Sequence, residues 1–158
     1  MTNTMLCLGL LCSVFFNHAL AQFSLNISGP DWDYTVKDLA ITTSQACKDA
    51  YSATIDCDPI LLGLVASMRP AFNPTASDIE NTCTPGCTAS LAAYVQGVQE
   101  TCTAPGDASL ESPGSSNYTD YILDPVALVG QVFQYTLATT CRKASYACFH
   151  SKIDFFLC

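Results

Sequence analysis

The sequence predicts an all-α, disulfide-stapled module of four to five helices that follows a cleaved signal peptide. Three observations carry this expectation. An even set of eight cysteines lies behind an apolar leader. Cap-plus-proline helix starts recur at Asp58-Pro59, Thr84-Pro85 and Asp124-Pro125. Behind those starts, apolar residues return at steps of three and four, the spacing of one helix face.

The leader comes first. Met5 to Phe16 is a run of apolar and small residues, followed by Ala19-Leu20-Ala21. An apolar core before a small-x-small triplet is what signal peptidase reads, and the run is shorter than the ~20 residues that span a bilayer. Cleavage before Gln22 removes Cys7, Cys12 and His18. It leaves Cys47, Cys57, Cys83, Cys87, Cys102, Cys141, Cys148 and Cys158. In an oxidising compartment an even set reads as disulfides, with a pairing that spacing does not reveal. Two sequons agree with secretion, at Asn26 and Asn117, whereas Asn73 is followed by Pro74 and is no acceptor.

Residues 22–41 read as an extended lead-in with strand-like pieces at Phe23–Ile27 and Asp33–Val36. Residues 42–141 read as the helical module. Thr42 with Gln45 has capping-box spacing ahead of a helix over Ser44–Ile55. Asp58 caps a short apolar helix, Pro59–Met68, that Arg69-Pro70 ends. Ser77 and Glu80 have the spacing of a second capping box. Thr84-Pro85 opens the best helix, with Cys87, Leu91, Tyr94, Val95, Val98 and Cys102 on one face. Thr103–Asn117, rich in Pro, Gly and Ser, reads as a loop. Asp124-Pro125 starts the last helix, with Val126, Val129, Phe133, Leu137 and Cys141 on its face. Residues 142–158 form an atypical tail, basic and aromatic, with no clear period.

The net charge of −8 is uneven. Thirteen acids face Lys37, Lys48 and Arg69 up to Asp124, after which Asp154 alone faces Arg142, Lys143 and Lys152. An acidic body disfavours nucleic acid and anionic membrane as partners, and no membrane association is expected after the signal is cleaved.

No arrangement of residues reads as an active site. Cys83 and Cys87 lack the second ligand pair of a structural zinc site, and their three-residue gap is not the redox spacing, so a disulfide is the better reading. Neither a metal nor a cofactor is expected. Cys148 and His150 as nucleophile and base rest on sequence adjacency, which says little about meeting in a fold. Asp56/Asp58 and Asp78/Glu80 are candidates for a glycosidase acid and base, but each pair sits at a helix start, where capping already requires carboxylates. Trp32, Tyr34, Tyr118 and Tyr121 are candidates for stacking on sugar rings, though no repeated spacing links them.

Ala46–Leu62, Arg69-Pro-Ala-Phe72, Cys83–Leu91 and the helix to Cys102 together resemble the cysteine-rich N-terminal region of fungal secreted LysM-domain proteins. The resemblance covers Cys47 to Cys141. It implies a secreted, non-enzymatic helical module, with chitin or cell-wall glycan, or a host or wall protein, as partner. The alternative is a purely structural or protein-interaction module, and a small hydrolase is the least supported reading. In that family, chitin-binding LysM repeats follow the module. Here the nearest string, Tyr34-Thr-Val-Lys-Asp-Leu-Ala40, lacks Gly-Asp-Thr and precedes the cysteines, so no glycan-binding residue is carried over. Because the pattern is lost after Cys141, the chain is expected to be a truncated product of a longer gene.

Overall fold

The computed structural model describes residues 21–26, 39–66, 72–111 and 122–150, with side chains omitted at 111, 122 and 145–150. Among them are five helices and two short antiparallel ribbons: β1 (Phe23–Ser24), α1 (Gln45–Tyr51), β2 (Thr54–Ile55), α2 (Ile60–Val65), α3 (Ala76–Thr82), α4 (Pro85–Thr101), β3 (Ser109–Glu111), β4 (Ile122–Asp124) and α5 (Ala127–His150). The fold is all-α, with β1 paired to β2 and β3 to β4 as minor additions.

Each helix start shows which local interaction won. The Ser44 side chain, not Thr42, accepts from the Cys47 backbone N–H and caps α1. Thr42 instead donates to the Gly106 carbonyl at 2.8 Å. The helix ends at Tyr51, and Ile55 turns into β2 opposite Phe23. Asp58 Oδ1 accepts from the Ile60 N–H at 2.9 Å, the cap expected at α2. At α3 the capping box is Thr75 with Asp78, two residues before the expected one. Thr84 caps α4 with Pro85 in its first turn, as the sequence predicts. The last helix runs unbroken to His150, past Cys141 and into the stretch set apart as a tail. A helix already docked by its first four turns can carry on without caps or a period of its own.

α4 packs most extensively against α5, and α1, α2 and α3 close around that pair. Gly130 allows the close approach: a Cβ there would lie 2.7 Å from Val95 Cγ2 and 3.0 Å from Tyr94 Cε1. Phe133 is fully buried, its ring centroid 6.1 Å from that of Phe23. Tyr51, Ile55, Leu61, Leu91 and Val98 fill the same core. The Tyr94 hydroxyl donates to the Tyr51 carbonyl at 2.9 Å inside it, and burial raises its pKa well above the ordinary value.

Among the described residues three disulfides brace this core: Cys47–Cys102, Cys57–Cys87 and Cys83–Cys141. The first two join the α1–α2 region to α4; the third ties α5 to the junction of α3 and α4. Cys148 falls on a side chain outside the described set and Cys158 lies outside the described residues.

Candidate functional site

Between the end of α4 and the start of α5 lies a groove of about 260 Å³, lined by Val98, Gln99, Cys102, Pro125, Val126, Ala127, Leu128 and Gln131. Its origin is local. The Cys47–Cys102 disulfide holds the last turn of α4, and the Pro125 carbonyl accepts from the Leu128 N–H to open α5. Val126, almost fully buried just ahead of α5, lines the groove together with residues from the end of α4. No lining residue carries a charge, in a chain of net charge −8. The polar groups it offers are the amides of Gln99 and Gln131, each both donor and acceptor. Chemically, this lining offers apolar contacts beside neutral amide donors and acceptors.

A latch keeps the far side of α4 in place. The chain after α4 turns at Gly106, whose φ of 99° is left-handed backbone that glycine adopts without strain. Asp107 then reaches across, accepting from the Ser44 N–H at 2.7 Å and the Ala104 N–H at 2.9 Å. Thr43 exchanges hydrogen bonds with Ala108, and the Ala40 N–H donates to the Ala108 carbonyl. The Ser44 N–H, more than any other contact, lowers the Asp107 pKa from 3.8, and the Thr75 N–H does the same for Asp78.

A pH dependence follows from these two carboxylates. Both have folded-state pKa values below the unfolded one, so their contribution is complete above about pH 4 and is lost as pH falls through the lower folded values. In thermal melts the native chain is expected to lose more stability on acidification below about pH 4 than a double Asp78→Asn, Asp107→Asn variant does. A native melt that declines no more than the double variant would remove both carboxylates from the acid limb.

The other predicted site residues are placed as follows. Asp58 and Asp78 act as caps, while Asp56 presents its backbone N–H to Ser90 Oγ at 2.9 Å. Asn26 is exposed at the end of β1, and its N–H donates to Ser24 Oγ. Residues 1–20 of the leader, Trp32, Tyr34, Asn117, Tyr118 and Tyr121 lie outside the described residues, and the His150 side chain lies outside the described set. Among the described residues no group of three metal-binding side chains is assembled, and no helix is long and apolar enough to cross a membrane.

Sequence reasoning did not find the groove. Its walls are uncharged residues from two helix ends, each ordinary by itself. The signal available was Gln99 and Gln131, polar positions bordering the apolar stripes of their helices.

No curated relative and no solved structure matches the chain. A family model does: the secreted LysM effector N-terminal domain, over residues 30–111, just over half of the chain. That stretch contains α1 to α4, β3 and the Cys47–Cys102 and Cys57–Cys87 disulfides, and ends before α5. The chain belongs to the family of secreted LysM effector N-terminal domains.

Proposed function

We propose that this chain is a non-enzymatic secreted module that engages neutral, N-acetylated wall glycan of the chitin type through the groove between α4 and α5. The observation that carries the reading is the uncharged lining of that groove. The lining offers no charged side chain for a phosphate, carboxylate or cation, whereas an acetamido sugar is suited by an apolar floor for its methyl and ring face and amides for its edges. Val98, Val126, Ala127 and Leu128 supply the first, Gln99 and Gln131 the second. Family membership supports the wall as the setting. The carboxylates Asp58, Asp78 and Asp107 serve as caps and latch, which supports a binding role over catalysis.

The test is titration of the secreted chain with the N-acetylglucosamine hexamer, followed by NMR, beside retention on insoluble chitin. Resonances of Gln99, Val126 and Gln131 are expected to shift. A double Gln99→Ala, Gln131→Ala variant should bind at least about tenfold more weakly, the loss of one to two hydrogen bonds. No shift at millimolar hexamer, or binding indifferent to the double variant, would overturn the reading.

A further inference from the structure

The groove of about 260 Å³ is smaller than the roughly 300–1,000 Å³ pockets that enclose a drug-sized ligand. It has room for one acetamido ring, so the further rings of a wall glycan must lie on the surface beside it. α5 continues the groove in that direction. Leu128 and Gln131 line it; one turn on, Val132 follows Leu128 and Tyr135 follows Gln131. The four residues therefore share one arc of the helix. Leu128 is 40% exposed, Val132 42% and Tyr135 71%. They are three of the five large apolar side chains exposed among the described residues, so exposed apolar surface gathers where the groove opens. No charged residue lies between Asp124 and Arg142, in a chain of net charge −8. A helix face made only to meet water carries charged side chains.

We infer that this stretch of α5 extends the groove, and that the Tyr135 ring stacks on a sugar ring further along the same N-acetylated oligomer. The inference rests on the groove reading and adds to it chain length as a basis of selection. Chemistry selects the occupant. A pyranose ring has a face of C–H groups that packs on an aromatic face, while its hydroxyl edges stay in water. A half-exposed aromatic beside a neutral groove suits that ring. At 71% exposure, Tyr135 contributes little to the core and keeps its ring for a ligand.

The spacing agrees. Each turn of α5 advances ~5.4 Å, about the length of one pyranose unit in an extended chain. From Leu128 to Tyr135 the advance is roughly 10.5 Å, or two units. A ring held at Leu128 and Gln131 thus sets the next over Val132 and the third over Tyr135.

The experiment is titration of the full secreted chain with the N-acetylglucosamine dimer and hexamer, followed by NMR. The hexamer is expected to bind about tenfold more tightly than the dimer, and to shift Tyr135 resonances that the dimer leaves in place. Tyr135→Ala should weaken hexamer binding about tenfold, to the level of the dimer, while its thermal melt stays close to that of the native chain. Tyr135→Phe, which keeps the ring and loses the hydroxyl, should bind the hexamer as the native chain does. Equal affinity for dimer and hexamer, hexamer binding indifferent to Tyr135→Ala, or an equal loss in Tyr135→Phe would overturn the inference. If hexamer binding still falls in the double Gln99→Ala, Gln131→Ala variant, those results remove the extension alone. A native chain that binds neither sugar removes the groove reading and the extension together.

Discussion

Replacing Phe133 by alanine is expected to destabilise the protein by about 3–5 kcal/mol and to lower its melting temperature by on the order of 15 °C. Phe133 is the point at which α5 meets the rest of the molecule. It is fully buried, its ring faces Phe23 from β1, and it belongs to the cluster formed by residues of α1, α2 and α4. Removing the ring leaves a cavity bounded by Phe23 and by helices that disulfides prevent from collapsing freely, so little of the lost contact is recovered. Tyr135, two residues further on the same helix, is 71% exposed, and its replacement by alanine should change stability by about 0.5 kcal/mol or less. Thermal or denaturant melts of the two variants measure the contrast. Equal effects would mean that α5 is not anchored through its buried face.

The buried helix faces are also where the sequence is most readable. Cys87, Leu91, Tyr94, Val95 and Val98 are buried on α4 as their spacing predicts, because a helix with one apolar stripe has one way to dock. Thr84-Pro85 and Asp58-Pro59 mark their helix starts for a similarly local reason. Where two capping residues compete, local pattern is ambiguous. Ser44 wins over Thr42 because Thr42 is drawn to Gly106, sixty-four residues away. Thr75 with Asp78 wins over Ser77 with Glu80, since the residue nearest the turn meets the first free N–H groups. The hairpin of β3 and β4 has three-residue strands, too short to leave a period.

The candidate site was less legible than the fold, for a physical reason. Catalytic and metal sites announce themselves by titratable residues in sequence, and those residues pointed only to caps here. This groove is lined by glutamine, valine and leucine, whose meaning depends on which helix ends come together. Cysteine spacing gave the number of bridges an upper bound, while the pairing depended on the packing of α1, α4 and α5.

Converting the Cys57–Cys87 pair to alanines is expected to be more damaging than converting Cys83–Cys141, at about 4 kcal/mol or more. Loop length alone would rank the bridges differently. Cys57 and Cys87 are 30 residues apart, against 58 for Cys83 and Cys141. Chain entropy grows only as the logarithm of that separation, so the longer loop gains roughly 0.6 kcal/mol. Burial outweighs it. Cys57 and Cys87 are 2% and 1% exposed, so their loss also empties a packed site at the start of α4, at a further cost of about 1 kcal/mol or more. Cys83 and Cys141 are half-buried, and water fills what their removal leaves. Against the 5–15 kcal/mol that holds an ordinary domain folded, the Cys57–Cys87 loss takes a large share. The same exposure order governs access of thiols. Under mild reduction, trapping and peptide mapping should find Cys83 and Cys141 released before Cys57 and Cys87. Denaturant melts of the alanine pairs read the energies, and a Cys83–Cys141 loss larger than the Cys57–Cys87 loss would show that α5 is held chiefly by its covalent tie. If the order stands, the residues 30–111 shared with the family keep their own buried bridge as the innermost support, and α5 is an addition docked by packing and secured by an outer one.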